Sequence, residues 1–251
     1  MEQQINWHSR FSQQARWTAE LRGYVLSRIS DVRNMIEIGC GTGAVLSDLS
    51  AGMSSRETCR FFGLDIDLHF LQQAAGEIPH AGFVQGDAHS LPFPNGCYDL
   101  AFTHYLLLWV QDPFRVLQEC QRVVRPGGWV AAFAEPDYGG RIDYPPALAE
   151  FGRAQEESLR SQGADTRLGR QLKALFHRAG FKKIECGVIG AQWQVQPETG
   201  ELRLEWEVAL ADLTGRIPQE DIETYKSAFF NSGRSGEQVL FVPTFYAFGQ
   251  V

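Results

Sequence analysis

Short apolar runs alternate with stretches of helical spacing over the first half of the chain. The runs cover residues 35–38, 60–65, 83–88, 98–103 and 129–133. Runs of this length with amphipathic segments between them are typical of βαβ units, whose crossovers are right-handed and whose strands pair in parallel. The pattern predicts an α/β fold with a doubly wound, mostly parallel sheet.

Helical stripes precede and separate these runs. Apolar residues recur at helical spacing from Phe11 to Ile29, which predicts one amphipathic helix before the first strand. A later stripe follows Asp112-Pro113, where an N-cap acid and a proline at the first helical position predict a helix start. We expect that helix to stop at Pro126-Gly127-Gly128.

Beyond residue 135 the pattern is mainly helical. It predicts helices over 146–160, 165–179, 198–213 and 218–230, and strands over 181–189 and 239–248. The segments at 136–165 and 197–236 exceed what a minimal α/β sheet needs, and long insertions often carry function. We assign them to the walls and lid of a substrate pocket in a domain over residues 31–251, which follows a helical segment over residues 1–30.

The first strand ends in three glycines at alternate positions. Gly39, Gly41 and Gly43 follow the run 35–38, and a helix-like sequence begins at Ala44. Glycine is favoured where the backbone takes a positive φ or where a ligand approaches without a Cβ between. We therefore predict a ligand-binding turn. The same residues also fit a dinucleotide-binding fingerprint with Ala44 last, so the turn alone leaves the ligand open.

Three acids accompany the first three strands. Glu37 lies two residues before the first glycine, Asp65 ends the second run and Asp87 lies in the third. An acid about 20 residues after the turn can bind the ribose hydroxyls of either kind of cofactor. Alternatively, Glu37 is a buried acid satisfied by backbone N–H groups, and Asp65 and Asp87 are turn acids at strand ends.

The series continues with Leu91-Pro92-Phe93-Pro94 before the fourth strand and Arg125-Pro126-Gly127-Gly128 before the fifth. In this order the motifs resemble the class I S-adenosylmethionine-dependent methyltransferases, over roughly residues 34 to 135. The resemblance implies a Rossmann-like sheet of seven strands whose last strand is antiparallel, and a cofactor that leaves as S-adenosylhomocysteine. An acidic cleft suits this cofactor, which carries a sulfonium and an ammonium group but no pyrophosphate.

The resemblance also implies roles for individual residues. The glycine turn passes against the methionine part of the cofactor, Asp65 binds the ribose, Asp87 receives the adenine amino group, and Ile66 and Ala88 flank the adenine. The full implied set of cofactor-binding residues is Trp17, Glu37, Gly39, Gly41, Gly43, Asp65, Ile66, Asp87, Ala88 and Thr103.

The N-terminal helix is a candidate cover over the cofactor. Methyltransferases of the small-molecule type often carry such helices, and Gln14, Trp17 and Arg22 would then meet the methionine moiety. Alternatively, the helix only packs on the sheet and Trp17 belongs to the core, as aromatic residues at helical spacing usually do.

Residues after the fourth strand are candidates for catalysis, because ligands of open α/β sheets bind beyond the carboxyl ends of the strands. His104 is the candidate base, with a reference pKa of about 6.5; its alternative role is to hydrogen-bond the backbone and position a loop. Tyr105 and Tyr138 are candidates to orient or deprotonate the acceptor, or to line its pocket. Glu135-Pro136-Asp137-Tyr138 is similar to the signature of methyltransferases that act on base amino groups, but it follows the wrong strand.

Composition argues against several other classes of protein. A net charge of -7 and a pI near 5.4 argue against a nucleic-acid-binding surface. The five cysteines contain no C-x-x-C pair and the histidines have no metal-ligand spacing, so we expect reduced thiols and no metal. Because the chain has no run long enough to span a bilayer and no signal-peptide pattern, we expect a cytoplasmic protein without a membrane partner.

The motifs and the composition leave three possible functions. The leading hypothesis is methyl transfer from S-adenosylmethionine to a small-molecule acceptor by in-line displacement. The alternatives are a nicotinamide-dependent oxidoreductase and a protein that binds S-adenosylmethionine without catalysis. The sequence leaves open the acceptor, the attacking atom, the need for a base and the oligomeric state.

Overall fold

The computed structural model describes residues 6–52, 59–190 and 199–251. Its main strands are β1 (Asn34–Ile38), β2 (Arg60–Asp65), β3 (Gly82–Gln85), β4 (Tyr98–Thr103), β5 (Val124–Pro136), β7 (Lys182–Ile189) and β9 (Thr244–Gln250). They form a seven-stranded sheet in the order β3-β2-β1-β4-β5-β9-β7. β1 to β5 pair in parallel, and β9 runs antiparallel between β5 and β7. The predicted doubly wound sheet and its antiparallel last strand are confirmed.

Helices cover both faces of this sheet, namely α1 (Trp7–Trp17), α2 (Ala19–Arg28), α3 (Ala44–Gly52), α4 (Leu68–Glu77), α5 (Pro113–Val123) and α7 (Leu172–Arg178). Three further helices pack mainly on one another, namely α6 (Ala149–Ser161), α8 (Thr199–Leu213) and α9 (Gln219–Ser235). No helix in the described ranges is both long enough and apolar enough to cross a membrane.

The central strands are buried on both faces, as expected when helices cover a parallel sheet on each side. In β4, Leu100 and Phe102 join one core cluster with residues of α1 to α4, whereas Ala101 joins the opposite cluster with residues of α5 and α7. The predicted stripe of α5 is buried at Val116, Leu117, Cys120 and Val123, and Asp112 caps the helix by accepting from the Arg115 N–H.

The single helix predicted over residues 11–29 is wrong. α1 ends at Trp17 and α2 begins at Ala19, with Thr18 between them at φ -106° and ψ 6°. The Thr18 hydroxyl lies 3.2 Å from the carbonyl oxygens of Gln14 and Ala15. A side chain that bonds its own backbone competes with regular helix geometry, which accounts for the break.

Several predicted boundaries also need correction. The third strand ends at Gln85, so that Asp87 lies in the turn beyond it; α5 ends at Val123, before the expected Pro126-Gly127-Gly128 stop; and α7 begins at Leu172, after a short 3₁₀ turn at Gly169–Gln171. The strand predicted over 239–248 is two strands, β8 (Val239–Phe241) and β9, separated at Val242 and Pro243. Proline lacks the N–H that a continuous ladder needs.

β8 pairs with β6 (Ile142–Tyr144), a strand that the sequence analysis missed. β6 and α6 lie in the first predicted insertion and α8 and α9 in the second, whereas β8 follows the second insertion. The insertion helices enclose their own apolar cluster around Phe151, Trp206 and Phe229. Residues 197 and 198, at the start of the second predicted insertion, and residues 1–5 of the predicted N-terminal segment lie outside the described residues.

Candidate functional site: the carboxyl edge of the sheet

The glycine turn joins β1 to α3 at the carboxyl edge of the sheet. Gly39, Gly41 and Gly43 all have positive φ, at 72°, 51° and 77°. A Cβ added at Gly39 would lie 2.6 Å from Leu106 Cδ1, and one at Gly41 would lie 3.0 Å from the Phe11 ring. Both the backbone conformation and the close neighbours therefore require glycine, as the sequence analysis expected.

Asp65, at the end of β2, holds this turn in place. Its Oδ2 accepts from the Gly41 N–H at 2.7 Å, and its Oδ1 accepts from the Asp67 N–H at 2.9 Å. A carboxylate oxygen can accept two hydrogen bonds, so each oxygen keeps capacity for a ligand hydroxyl. Asp65 thus serves as a strand-end turn acid. It also lies at the end of β2, where the sequence analysis expected an acid that binds the ribose.

Asp87 lies in the exposed turn after β3 and is oriented by His89. Its Oδ1 accepts from the His89 N–H at 2.9 Å and lies 2.7 Å from His89 Nδ1, and these hydrogen bonds lower the pKa of the Asp87 carboxyl. His89 Nε2 in turn accepts from the Asp112 N–H at 3.3 Å, which assigns the ring proton to Nδ1. Sequence reasoning dismissed His89; its spacing of two residues from Asp87 was the available signal.

The residues next to the two acids differ in exposure. Ile66, next to Asp65, is 71% exposed, whereas Ala88, next to Asp87, is 8% exposed. Ile66 therefore presents a large apolar side chain to solvent beside Asp65.

Glu37 and Arg22 form a buried ionic centre on the face of the sheet that α1 to α3 cover. Arg22 is 1% exposed, and its Nη1 donates to Ala15 O at 2.7 Å and to Thr18 Oγ1 at 2.5 Å, while its Nη2 donates to Asp48. Burial raises the pKa of Glu37 well above its usual value, and the Arg22 guanidinium opposes that rise. Within the described residues, Glu37 Oε2 and Arg22 Nε lack hydrogen-bond partners.

The loop after β4 brings Thr103 and His104 to the same edge. Thr103 is fully buried, and its Oγ1 lacks a hydrogen-bond partner in the described part of the chain. His104 Nε2 lies 2.9 Å from Thr18 Oγ1. Burial, followed by the nearby Arg22 charge, lowers the pKa of His104 to about 3. The expectation of a base with an ordinary histidine pKa is therefore not met at this position.

Glu135 anchors that loop, a role the sequence analysis missed. It is 0% exposed, and its two carboxyl oxygens accept from the N–H groups of Leu107 at 2.9 Å and Leu108 at 3.2 Å. Burial raises the pKa of Glu135 to about 8. The sequence signal was an acid at the end of a wholly apolar strand, because a buried carboxyl needs partners that only the fold supplies.

Tyr105 and Tyr138 lie on the insertion side of this edge. Tyr105 has a positive φ of 53°, and its N–H donates to Ala134 O at 2.9 Å. Tyr138 follows β5, and its N–H donates to Thr166 O at 2.8 Å. Burial raises the pKa of both phenols, for Tyr105 to about 12.

The N-terminal helices contact the glycine turn directly. His8 Nδ1 lies 3.0 Å from Thr42 Oγ1, and the Phe11 ring covers Gly41. Trp17 is 45% exposed, with the Arg10 guanidinium 4.9 Å from its ring centroid, so it does not belong to the core. The contacts with the turn come from His8 and Phe11, which the sequence analysis did not single out.

Residues 36–132 match the family described as "Methyltransferase domain". A demethylmenaquinone methyltransferase of Lactococcus lactis is 27% identical over 195 residues, covering 70% of this chain and 75% of that protein. A Thermotoga maritima structure described as an S-adenosylmethionine-dependent methyltransferase, possibly a histamine N-methyltransferase, aligns with a TM-score of 0.59 and 17% identity, covering 98% and 95% of the two chains. Residues 36–132 thus match a methyltransferase domain, and the fold of the chain is that of the S-adenosylmethionine-dependent methyltransferases.

The cofactor of this methyltransferase family is S-adenosylmethionine, and the matched segment contains the glycine turn, Glu37, Asp65, Asp87 and Thr103. Tyr138 and both insertions lie beyond it. Likeness in fold does not specify the methyl acceptor, so any acceptor preference depends on this chain's own residues in the insertions.

The chain spans 42% of an uncharacterized transposon TN4556 protein of Streptomyces fradiae, with which it is 34% identical over 152 residues covering 58% of this chain. The same fold occurs in the [4+2]-cyclase SpnF, which aligns with a TM-score of 0.55 and 19% identity over 92% of this chain and 80% of SpnF. At these identities the solved structures show the fold alone.

Proposed function

We propose that this methyltransferase transfers a methyl group from S-adenosylmethionine to a small-molecule acceptor bound between the carboxyl edge of the sheet and the helical insertions. The observation that carries the proposal is the junction of the glycine turn with Asp65, where the Gly41 N–H and Asp65 Oδ2 are 2.7 Å apart. This hydrogen bond joins the turn proposed to contact the methionine moiety to the acid proposed to bind the ribose.

The residues at this edge fit the chemistry of the cofactor. Glu37 Oε2 and Thr103 Oγ1 are buried at the ends of neighbouring strands and have no partners among the described residues. Buried polar atoms usually find a partner in the protein or a ligand, so donors on a bound molecule would complete both. Asp87 has one oxygen that His89 does not use, which is available to an adenine amino group.

S-adenosylmethionine supplies a methyl group on a sulfonium sulfur. The chain's contribution is to hold the acceptor in line with that group, and positioning of this kind is worth up to about 7–11 kcal/mol. We assign Trp17, Glu37, Gly39, Gly41, Gly43, Asp65, Ile66, Asp87, Ala88 and Thr103 to cofactor binding. Tyr105 and Tyr138 would orient the acceptor, since their raised pKa values keep both phenols protonated at neutral pH.

His104 is a weak candidate for a general base. With a pKa of about 3 it holds a proton poorly at neutral pH. Its contact with Thr18 instead joins the loop after β4 to the N-terminal helices. If His104→Ala keeps turnover of the true substrate within a few-fold of the wild type, the base role is excluded.

Calorimetry separates this proposal from its two rivals. We expect S-adenosylhomocysteine to bind and NAD to give no heat, because the edge offers acids where a pyrophosphate would need donors. Binding of NAD instead would favour the oxidoreductase. Binding of S-adenosylhomocysteine without methyl transfer to any amine, hydroxyl, thiol or carbon acceptor in a small-molecule library would favour a protein that binds the cofactor without catalysis.

Removing residues 1–30 tests the proposed N-terminal cover over the cofactor, because His8 and Phe11 contact the glycine turn. If the shortened protein is folded and binds S-adenosylhomocysteine with unchanged affinity, the cover role is rejected. The substitution His8→Ala, which leaves the apolar core intact, gives the same information if the truncation does not fold.

A further inference from the structure

His89 lies in the turn after β3 and is held both by its ring and by its backbone. Its backbone N–H and its Nδ1 both meet Asp87 Oδ1, at 2.9 and 2.7 Å. Its Nε2 accepts from the Asp112 N–H at 3.3 Å, and its carbonyl oxygen accepts from Arg115 Nε at 3.1 Å. The imidazole is therefore fixed in position and in tautomer, with the Nδ1 proton directed at Asp87.

The helix α5 supports this arrangement. Asp112 is the N-cap of α5 and accepts from the Arg115 N–H at 2.9 Å. Glu119, farther along the helix, is 4% exposed; it accepts from the Leu91 N–H at 2.9 Å and pairs with Arg115 at 3.1 Å. The turn after β3 is thus bound to α5 at His89 and again at Leu91.

The turn that carries Asp87 is also joined to the end of β2. β2 and β3 pair in parallel with Asp65 opposite Gln85, and the Gly86 N–H donates to Asp65 O at 3.0 Å. Gln85 Nε2 donates to Ile66 O at 3.0 Å. Asp87 therefore follows directly on residues that are hydrogen-bonded to the strand end where the ribose is proposed to bind.

His89 uses one carboxylate oxygen of Asp87 and leaves the other available. Both contacts from His89 are with Oδ1, whereas Oδ2 accepts no hydrogen bond within residues 6–52, 59–190 and 199–251, and 58% of the side chain is exposed. The hydrogen bonds from His89 lower the pKa of the Asp87 carboxyl, so it is ionised at neutral pH. An ionised carboxylate only accepts hydrogen bonds. Oδ2 can therefore bind an amino group, and it repels an oxygen.

We propose that His89 is a positioning residue that fixes Asp87 as the acceptor for the 6-amino group of adenine, so that the site selects an adenosyl cofactor over a 6-oxopurine cofactor. This inference rests on the proposed methyltransferase function, which assigns Asp87 to adenine. A 6-oxo group places an oxygen where adenine has its amino group, and two acceptors that face each other leave both without a hydrogen bond. A freely rotating carboxylate would turn away from that oxygen, so the selectivity depends on the orientation that His89 maintains.

The test compares two ligands on the full-length protein by titration calorimetry. S-inosylhomocysteine has a 6-oxo group and an N1–H in place of the 6-amino group of S-adenosylhomocysteine and is otherwise identical. We expect the wild type to bind S-adenosylhomocysteine at least 10-fold more tightly. Asp87→Asn should reduce this preference to within about threefold, because an amide can also donate to the 6-oxo group.

Two substitutions of His89 separate the roles of its ring nitrogens. His89→Asn places an amide nitrogen near the position of Nδ1 and keeps the donor to Asp87, whereas His89→Gln extends towards the position of Nε2 and loses that donor. We expect His89→Gln to weaken S-adenosylhomocysteine binding about fivefold while S-inosylhomocysteine binding stays within about twofold of the wild type. His89→Asn should retain the wild-type preference within about twofold.

His80→Gln is the matched control. His80 lies before β3, at the amino edge of the sheet, where its ring and the Phe61 ring have centroids 6.4 Å apart. The substitution removes an imidazole without altering the turn after β3, so both affinities should stay as in the wild type. A role of His89 in folding alone would weaken both ligands by the same factor and leave the preference unchanged.

Three results would overturn the inference and leave the proposed function intact, because S-adenosylhomocysteine still binds in each. They are a wild type without preference between the two ligands, a wild-type preference in His89→Gln, and equal loss of preference in His89→Asn and His89→Gln. The last result would mean that the donor to Asp87 does not produce the selectivity. Absence of S-adenosylhomocysteine binding to the wild type would instead reject the proposed function together with the inference.

Discussion

Gly43 shows how a single residue fixes the glycine turn at the carboxyl edge of the sheet. Its φ is 77°, and an added Cβ would lie 3.1 Å from Ala74 Cβ. A side chain in this conformation costs about 1–2 kcal/mol before any clash is counted. We expect Gly43→Ala to lower the free energy of unfolding by about 2 kcal/mol and to weaken S-adenosylhomocysteine binding at least 10-fold, measured by urea unfolding and calorimetry.

Gly76→Ala is the control for this substitution. Gly76 lies inside α4 and an added Cβ would meet nothing within 4 Å, so alanine should stabilise the protein by about 0.5–1 kcal/mol and leave affinity unchanged. Equal affinity of the Gly43→Ala variant and the wild type would show that the turn does not contact the cofactor.

Asp65 allows a second test at a single position. Asparagine keeps one acceptor oxygen, whereas Asp65 uses both, one for the Gly41 N–H and one for the Asp67 N–H. We expect Asp65→Asn to weaken S-adenosylhomocysteine binding by 10-fold or more, which is about 1.4 kcal/mol.

The control is Asp67→Asn, since Asp67 caps α4 and asparagine caps a helix about as well as aspartate does. It should bind as the wild type does. If both variants lose the same affinity, general loss of acidic charge rather than the position of Asp65 is responsible.

His104 makes the stability of the protein depend on pH. Burial lowers its pKa to about 3, below the value of about 6.5 in the unfolded chain. Between these values the unfolded chain binds a proton that the folded protein does not, so stability falls as the pH falls below 6.5. Lowering the pH from 7 to 5 should cost the wild type about 2 kcal/mol more than His104→Gln, measured by urea unfolding.

Equal losses in the two proteins would place the wild-type pKa of His104 near its ordinary value and reopen its role as a base.

At the scale of single residues, the sequence alone pointed to the candidate site residues that lie in a motif. Glu135 was missed because its partners, Leu107 and Leu108, are distant in the sequence, as is Asp112, one of the partners of His89.

At the scale of elements, Arg22 of α2 joins α1 and Thr18 to Asp48 of α3. It links Ala15 O, Thr18 Oγ1 and Asp48 while it is 1% exposed. Removing one member of a buried ionic group leaves the others uncompensated, which typically costs about 3–5 kcal/mol. We expect Arg22→Gln to lower the free energy of unfolding by about 3 kcal/mol in urea unfolding.

Arg28→Gln is the matched control on the same helix. Arg28 pairs with Glu185 at 3.5 Å with 53% of its side chain exposed, and exposed pairs contribute about 0–1 kcal/mol. Similar effects of both substitutions would mean that the buried network does not secure the helices. The break at Thr18 belongs to this network, and spacing along one helix could not reveal it.

At the scale of the molecule, the insertions have a core of their own. Trp206 stacks on Phe151 with centroids 5.9 Å apart and contacts Phe229 at 5.6 Å, in a cluster separate from the two that cover the sheet. Truncating a buried tryptophan costs about 3–5 kcal/mol. We expect Trp206→Ala to loosen the insertion and abolish acceptor turnover, with S-adenosylhomocysteine affinity within threefold of wild type.

Hydrogen exchange can measure whether the insertion helices and the sheet lose protection separately. Amides over 199–235 should exchange faster in Trp206→Ala, while amides over 36–132 keep their protection. Trp206→Phe retains an aromatic ring and should show a smaller change. Uniform loss of protection across both ranges would mean that the insertion and the sheet unfold as one unit.

The sequence by itself determined the parts that depend on local order along the chain. Alternating apolar runs and stripes specified the sheet, and glycines with strand-end acids specified the cofactor edge, because positive φ and strand termini are properties of neighbouring residues. The tertiary structure alone decided the Arg22 network, the anchoring of the loop by Glu135 and the low pKa of His104. These properties arise from burial and from partners that lie far apart in the chain, and no periodicity in the sequence encodes them.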